Sequence, residues 1–188
     1  MQKNKQTGDV FSLQMLVCCA LLVALSIVCG KFLQIPVGEM LRFSFENLPI
    51  LLAGILFGPL AGALVGVGAD LLGCLAVGYV INPLITVGAA LIGCVGGCVY
   101  RWLRGMPTAG RILLTVVAAH MIGSVLVKTF GLAQFYDIPF WLLLLWRLLN
   151  YTLVAGAEFF LLYMLLRNKG VRRMVDSFRR DGGNGDIS

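Results

Sequence analysis

Five long apolar stretches, at roughly residues 11–33, 47–77, 84–103, 112–131 and 140–166, are separated by short polar joints along this chain. A helix of about 20 such residues crosses a hydrocarbon layer about 30 Å thick, and each stretch is long enough. The second is too long, since its roughly 31 residues would extend about 46 Å as one helix. The natural break is the run Phe57-Gly58-Pro59-Leu60-Ala61-Gly62. Pro59 lacks an N–H and drives Gly58 out of the helical region, while Gly58 and Gly62 permit a tight turn. The pattern therefore predicts a hairpin of two short helices here and six transmembrane helices in all.

Composition fixes the medium. Of 188 residues, 59% are hydrophobic and 13% charged, and the mean hydropathy is +0.90, values that mark an all-α integral membrane protein. With six helices and both termini cytoplasmic, eleven of the fifteen Lys and Arg fall inside: Lys3, Lys5, the joint residues Arg101, Arg104 and Arg111, and the six from Arg167 onward. Five helices with an outside N-terminus score equally, exchanging Lys3 and Lys5 for Lys31 and Arg42. Helix length decides for six. The expected organisation is a cytoplasmic N-terminus (1–10), a six-helix membrane domain (11–167) and a basic, partly disordered cytoplasmic tail (168–188). The first apolar run is too long for a signal-peptide core and no A-x-A site follows it, so it reads as a retained helix. The six cysteines lie in apolar helices without a C-x-x-C pair and read as small packing residues.

Small residues recur at four-residue spacing, as in Ala20 and Ala24, Gly54 and Gly58, Gly62 and Gly66, and Gly93 and Gly97, a pattern that lets helices approach closely in lipid. Asp70 shares a helical face with Gly62, Gly66 and Gly73 and so faces protein, as a structural carboxylate or as a ligand, ion or proton site. His120 and Glu158 are each about eight residues, or about 12 Å, from the inner ends of the fifth and sixth helices. His120, Ser124 and Lys128 line one face of the fifth helix, and Arg147, Tyr151, Val154 and Glu158 one face of the sixth, so two polar stripes should meet. The lower pair, His120 and Glu158, reads as structural. Higher up, Lys128 and Arg147 have no equally close acid in sequence, and either snorkel to headgroups or line an outward pocket for an anion. Aromatic residues cluster at that level, among them Phe45, Tyr79, Phe130, Phe135, Trp141, Trp146 and Tyr151, as an interfacial belt or as the walls of a cavity suited to a flat anionic solute.

The chain carries no G-x-x-x-x-G-K-[ST], H-E-x-x-H or G-x-S-x-G motif, so neither a P-loop ATPase nor a zinc or serine hydrolase is expected. No enzyme activity, cofactor, metal or nucleic-acid partner is expected, because positive-inside placement accounts for the basic tail.

The run "LRFSFENLPILLAGILFGPLAGALVGVGADLLG" resembles the substrate-binding (S) components of energy-coupling factor (ECF) vitamin transporters, folate type. Arg42, Ser44, Phe45 and Pro49 match an R-x-S-F-x-x-x-P entry to helix 2. Phe57, Gly58, Pro59 and Gly62 match an F-G-P-x-x-G turn, and Asp70 matches an Asp before Leu and Gly in helix 3. Ala20 and Ala24 match a first-helix A-x-x-x-A. After helix 3, "GYVINPLIT" departs from the family's aromatic F-P-G loop, and Tyr79, Asn82 and Pro83 are its partial equivalents. The resemblance implies a multi-pass protein of the bacterial cell membrane that captures a vitamin outside and delivers it through a coupling subunit and two ATPase subunits, docking on the coupling subunit by Ala20 and Ala24. It implies folate as the vitamin. Lys128, Arg147 and Arg42 would meet the glutamyl carboxylates, aromatics would stack on the rings, and Asn150, Glu46 or Asp137 would bond the pterin edge. An S component for another small vitamin or nucleobase-like solute, and a membrane scaffold, remain the alternatives.

Overall fold

The computed structural model describes residues 13–37, 41–136, 139–168 and 170; the predicted segment 1–10 and nearly all of the tail lie outside them. Helix α1 (Leu13–Ile27) runs on as a π-helical turn, Val28–Phe32. Strands β1 (Ile35–Val37) and β2 (Leu41–Phe43) follow, then α2 (Asn47–Phe57), α3 (Pro59–Val77) and α4 (Pro83–Trp102). Helix α5 (Thr108–Ala119) continues through a π-helical stretch, His120–Val127, into α6 (Lys128–Tyr136), and α7 (Phe140–Arg167) closes the chain. Counting α5 to α6 as one rod gives six helical rods among the described residues. Five are long and apolar enough to cross a membrane, and Asn47–Phe57 is shorter.

The break falls where the sequence predicts it: Gly58 has φ 108° and Pro59 opens α3, where its missing N–H would have had no helical partner anyway. The hairpin differs from two short helices. Only α2 is short, at 11 residues, whereas α3 has 19 and spans. The segment before α2 satisfies part of its own backbone. There β1 and β2 pair antiparallel, Ile35 with Phe43 and Val37 with Leu41, where the sequence suggests only a loop.

Helices α2, α3 and α4 meet through glycine. A Cβ on Gly62 would lie 2.6 Å from the Gly93 carbonyl oxygen and 2.7 Å from Gly54 Cα, and one on Gly97 would lie 2.7 Å from the Pro59 nitrogen. The small-residue pairs thus place backbone against backbone. Around this clasp pack Ile50, Leu51, Val65, Ile92, Ile112, Val116 and Leu162, all buried. The outer faces are apolar too: Leu21, Leu64, Leu75, Leu145, Leu153 and Phe160 are exposed, as expected of surfaces wetted by lipid.

Gly93→Ala should therefore destabilise the protein. The added carbon meets the Gly62 backbone, which cannot yield, and overpacking of about 1–3 kcal/mol outweighs the gain of about 1 kcal/mol in helix propensity. Gly105→Ala, with open space around it, should leave unfolding unchanged. Thermal unfolding of both variants in detergent checks this.

Candidate functional site

Because α1, α3 and the α5–α6 rod run one way and α2, α4 and α7 the other, the ends of α1, α3 and α6 gather with the starts of α2, α4 and α7 at one end of the bundle. Just beneath them lies a polar cluster. The Lys128 ammonium donates to Glu46 Oε1 at 3.1 Å and to Asn47 Oδ1 at 3.4 Å. The Ser26 hydroxyl donates to the Glu46 carbonyl at 2.6 Å, and the Thr86 hydroxyl to Asp70 Oδ2 at 2.6 Å. Lys31 sits 5.4 Å from the Tyr79 ring centre. Ser26, Lys31, Glu46 and Asp70, with Ile27, Ile50, Ala69 and Ala89, surround a cavity of about 10 Å³, room for about one water molecule.

Glycines make this crowding possible. A Cβ on Gly30 would strike Glu46 Oε2 at 2.6 Å, and one on Gly73 would lie 3.1 Å from Lys31 Cε. Charge does the rest. Burial alone would raise the Glu46 pKa, but Lys128, with Lys31 and then Arg147, holds its carboxyl below the usual carboxylate range. Glu46 is thus paired with Lys128 and shares its cavity with Lys31 and with Asp70, the second acid.

The two polar stripes of α5–α6 and α7 lie against each other. His120 Nε2 and Glu158 Oε2 are 2.5 Å apart, both buried, and His120 Nδ1 is 3.1 Å from Ser124 Oγ. Tyr151 packs on the His120 ring, with centres 5.2 Å apart. Arg147 reaches the Ser124 carbonyl at 3.3 Å and Thr129 Oγ1 at 3.4 Å, and its guanidinium lies 5.5 Å from the Tyr151 ring centre. The π-helical stretch between His120 and Lys128 widens the rod where these contacts form, a distortion often found at functional sites.

Of the residues singled out by sequence, Glu46, Lys128, Arg147 and Tyr151 come together here, and Asp70 borders the same cavity. Lys128 does not snorkel; it is 3% exposed and paired. Asn82 serves elsewhere: its Oδ1 accepts from Leu84 N at 3.0 Å to cap α4, and its Nδ2 donates to the Gly131 carbonyl at 3.1 Å, tying α4 to α6. Tyr79 is exposed, with the Lys31 ammonium over its ring. Phe45 and Asn150 are half-buried. The Arg42 backbone pairs with Pro36, while its side chain, like Asp137, lies outside the described residues. The aromatic group divides: Phe32, Phe130, Phe135, Trp141 and Trp146 are exposed, whereas Phe45 and Tyr151 are half-buried. Sequence reasoning missed Ser26, Lys31, Asn47 and Thr86. Lys31 left a signal, being a cation inside the first helical rod; Thr86 left none beyond a hydroxyl at a helix start.

Comparison with known proteins follows from this geometry. A family model described as ECF-type riboflavin transporter, S component, matches residues 10–166. The crystal structure of FolT bound with folic acid superposes with TM-score 0.67 at 22% identity, covering 82% of this chain and 93% of that one. An S component of a bacterial ECF transporter superposes with TM-score 0.57 at 19% identity, covering 89% and 98%. At these identities the likeness is one of fold. A curated relative, uncharacterized protein MG313 homolog of Mycoplasma pneumoniae, is 41% identical over 68 residues, 36% of this chain and only 24% of that protein.

The buried His120–Glu158 pair generates a stability prediction. Glu158→Ala removes the Nε2 partner of His120 and should cost about 1.5–3 kcal/mol, the range for a hydrogen bond to a charged group. Joint replacement by His120→Phe and Glu158→Leu should restore part of the loss. Unfolding of the single and double variants in mixed micelles measures both.

Proposed function

This chain belongs to the ECF-type riboflavin transporter S component family, and from that premise we propose that it captures folate at the bacterial cell surface. Membership makes it a multi-pass transporter subunit that works with other ECF components. The folate reading is carried by one observation: Lys128 is paired with Glu46 at 3.1 Å on a cavity that Lys31 also lines, with Arg147 bonded to the neighbouring Thr129, a cationic group where a dicarboxylate tail would enter. The opposite end carries Arg101, Arg104, Arg111 and Arg167 and so faces the cytoplasm. Tyr151 beside Arg147, and Tyr79 beside Lys31, offer flat faces for the ligand rings.

The purified protein should bind folate at nanomolar concentration without ATP, because a receptor that releases cargo only when partners act gains from tight capture. Calorimetry is the suitable readout, as Trp141 and Trp146 point outward. Arg147→Met or Lys128→Met should each weaken binding by about 1.5–3 kcal/mol, the range for hydrogen bonds to charged groups. Wild-type affinity in both variants would remove the cationic pocket. Riboflavin is the second reading, favoured by the description of the matching family model. It carries no carboxylate, so parallel titration with riboflavin decides between them.

Delivery would require a coupling subunit and two ATPase subunits, with docking through α1. Ala20 and Ala24 are both exposed on that helix, one turn apart, and present a smooth strip to a neighbouring helix. Replacing both with Trp should leave folate affinity and thermal stability unchanged while abolishing ATP-dependent uptake by the assembled transporter. Undiminished uptake would refute the docking role.

A further inference from the structure

We infer that the Glu46 carboxylate occupies the seat of a substrate carboxylate on Lys128, and that the vitamin binds by displacing it. The inference rests on the folate reading above and concerns how that site discriminates.

Lys128 is 3% exposed, whereas the Glu46 side chain that holds it is 29% exposed. Glu46 is therefore the member of the pair within reach of solvent, and the way to the ammonium leads past it. The cavity beside them measures about 10 Å³, so a molecule of vitamin size enters this cluster only if side chains yield. Several of the lining groups are fixed. Asp70 is tied to Thr86 across α3 and α4, Ile50 is buried in the core, and the Lys128 stem lies against Gly88, where a Cβ would meet its Cγ at 2.5 Å.

Glu46 is held differently. Its backbone is anchored by Ser26, but its carboxylate is restrained through Oε1 by Lys128, while Oε2 lies over Gly30, which presents no side chain. Rotation of one side chain therefore uncovers Lys128 without disturbing a helix. What leaves is a carboxylate accepting a charge-assisted hydrogen bond, and the group best able to replace it is another carboxylate. A neutral ligand would strip Lys128 of its charged partner, leave it Asn47 Oδ1 and give nothing equivalent in return, so Glu46 sets a threshold that favours acids. In this role Glu46 is a specificity-determining competitor, in contrast to a direct contact with the pterin edge.

The test is calorimetric titration of folate into the wild-type protein, Glu46→Gln, Lys128→Met and the double variant, with 6-hydroxymethylpterin as a carboxylate-free competitor. The amide of Glu46→Gln is a weaker partner for Lys128, so folate should bind about tenfold more tightly, the equivalent of one charged hydrogen bond near the lower end of its range. The gain should vanish in the Lys128→Met background and should be absent for the pterin. A merely structural role for Glu46 predicts the opposite sign, since loosening the site would weaken binding. Should the amide variant fail to fold, Glu46→Asp, one methylene too short to hold Lys128, provides the same comparison. Folate that binds the wild-type protein but binds Glu46→Gln equally or less well overturns the inference and leaves the folate reading standing. An equal gain for the pterin also overturns it, reducing Glu46 to a steric block. No folate binding by the wild-type protein removes the folate reading and the inference with it.

Discussion

The contact on which the rest of this structure depends is the meeting of three helix backbones at Gly54, Gly62, Gly93 and Gly97. In water such helices would be driven together by burial of apolar surface. In lipid that force is absent, and close van der Waals approach takes its place. Here the approach is so close that a single methyl on Gly62 or Gly93 would overlap a neighbouring backbone atom. The consequence reaches the site directly. The clasp fixes α2 against α3 and α4, and these helices bring Glu46 and Asn47, Asp70 and Thr86 to one level, facing Lys128 across the bundle.

A second constraint is the cost of charge in a membrane interior. The buried and half-buried ionisable groups of the cluster and the stripes meet it with named partners: His120 with Glu158, Lys128 with Glu46, Asp70 with Thr86, and Arg147 with the Ser124 carbonyl. These pairings differ in accessibility, and that difference divides their roles. His120 and Glu158 are both sealed, as suits a link between two rods. Lys128 and Glu46 are sealed on one side only, which leaves their pairing open to exchange.

Much of the scaffold was legible because its causes are local. Pro59 after Gly58 breaks a helix whatever surrounds it, and small residues four apart mark a contact face. The stripes on α5–α6 and α7 could be matched by depth, since two helices joined by a short loop must run antiparallel. The Glu46–Lys128 pair was not legible, as its members lie 82 positions apart and Glu46 precedes a helix too short to fix its depth by counting. The π-helical stretch, the β1–β2 pairing and the diversion of Asn82 to capping likewise depend on tertiary context. The aromatic residues stayed open for a related reason: composition places them at the interface but does not say whether a ring faces lipid or protein.

The division between a rigid clasp and an exchangeable pair also bears on how one fold serves different vitamins. This chain matches a family model described for riboflavin and shares a fold with a protein crystallised with folic acid at only 22% identity. What such proteins have in common is helix packing, and in this chain that packing is made by glycines, which contribute no side-chain chemistry to the pocket. On the proposed reading, selectivity is then left to the few polar side chains at the loop end, above all to how many cations are offered and which carboxylates already answer them. Changing Glu46, Lys31 or Arg147 would alter that balance without touching Gly54, Gly62, Gly93 or Gly97. A fold held together at its backbones is free to vary its charges, and the charges are what a vitamin meets first.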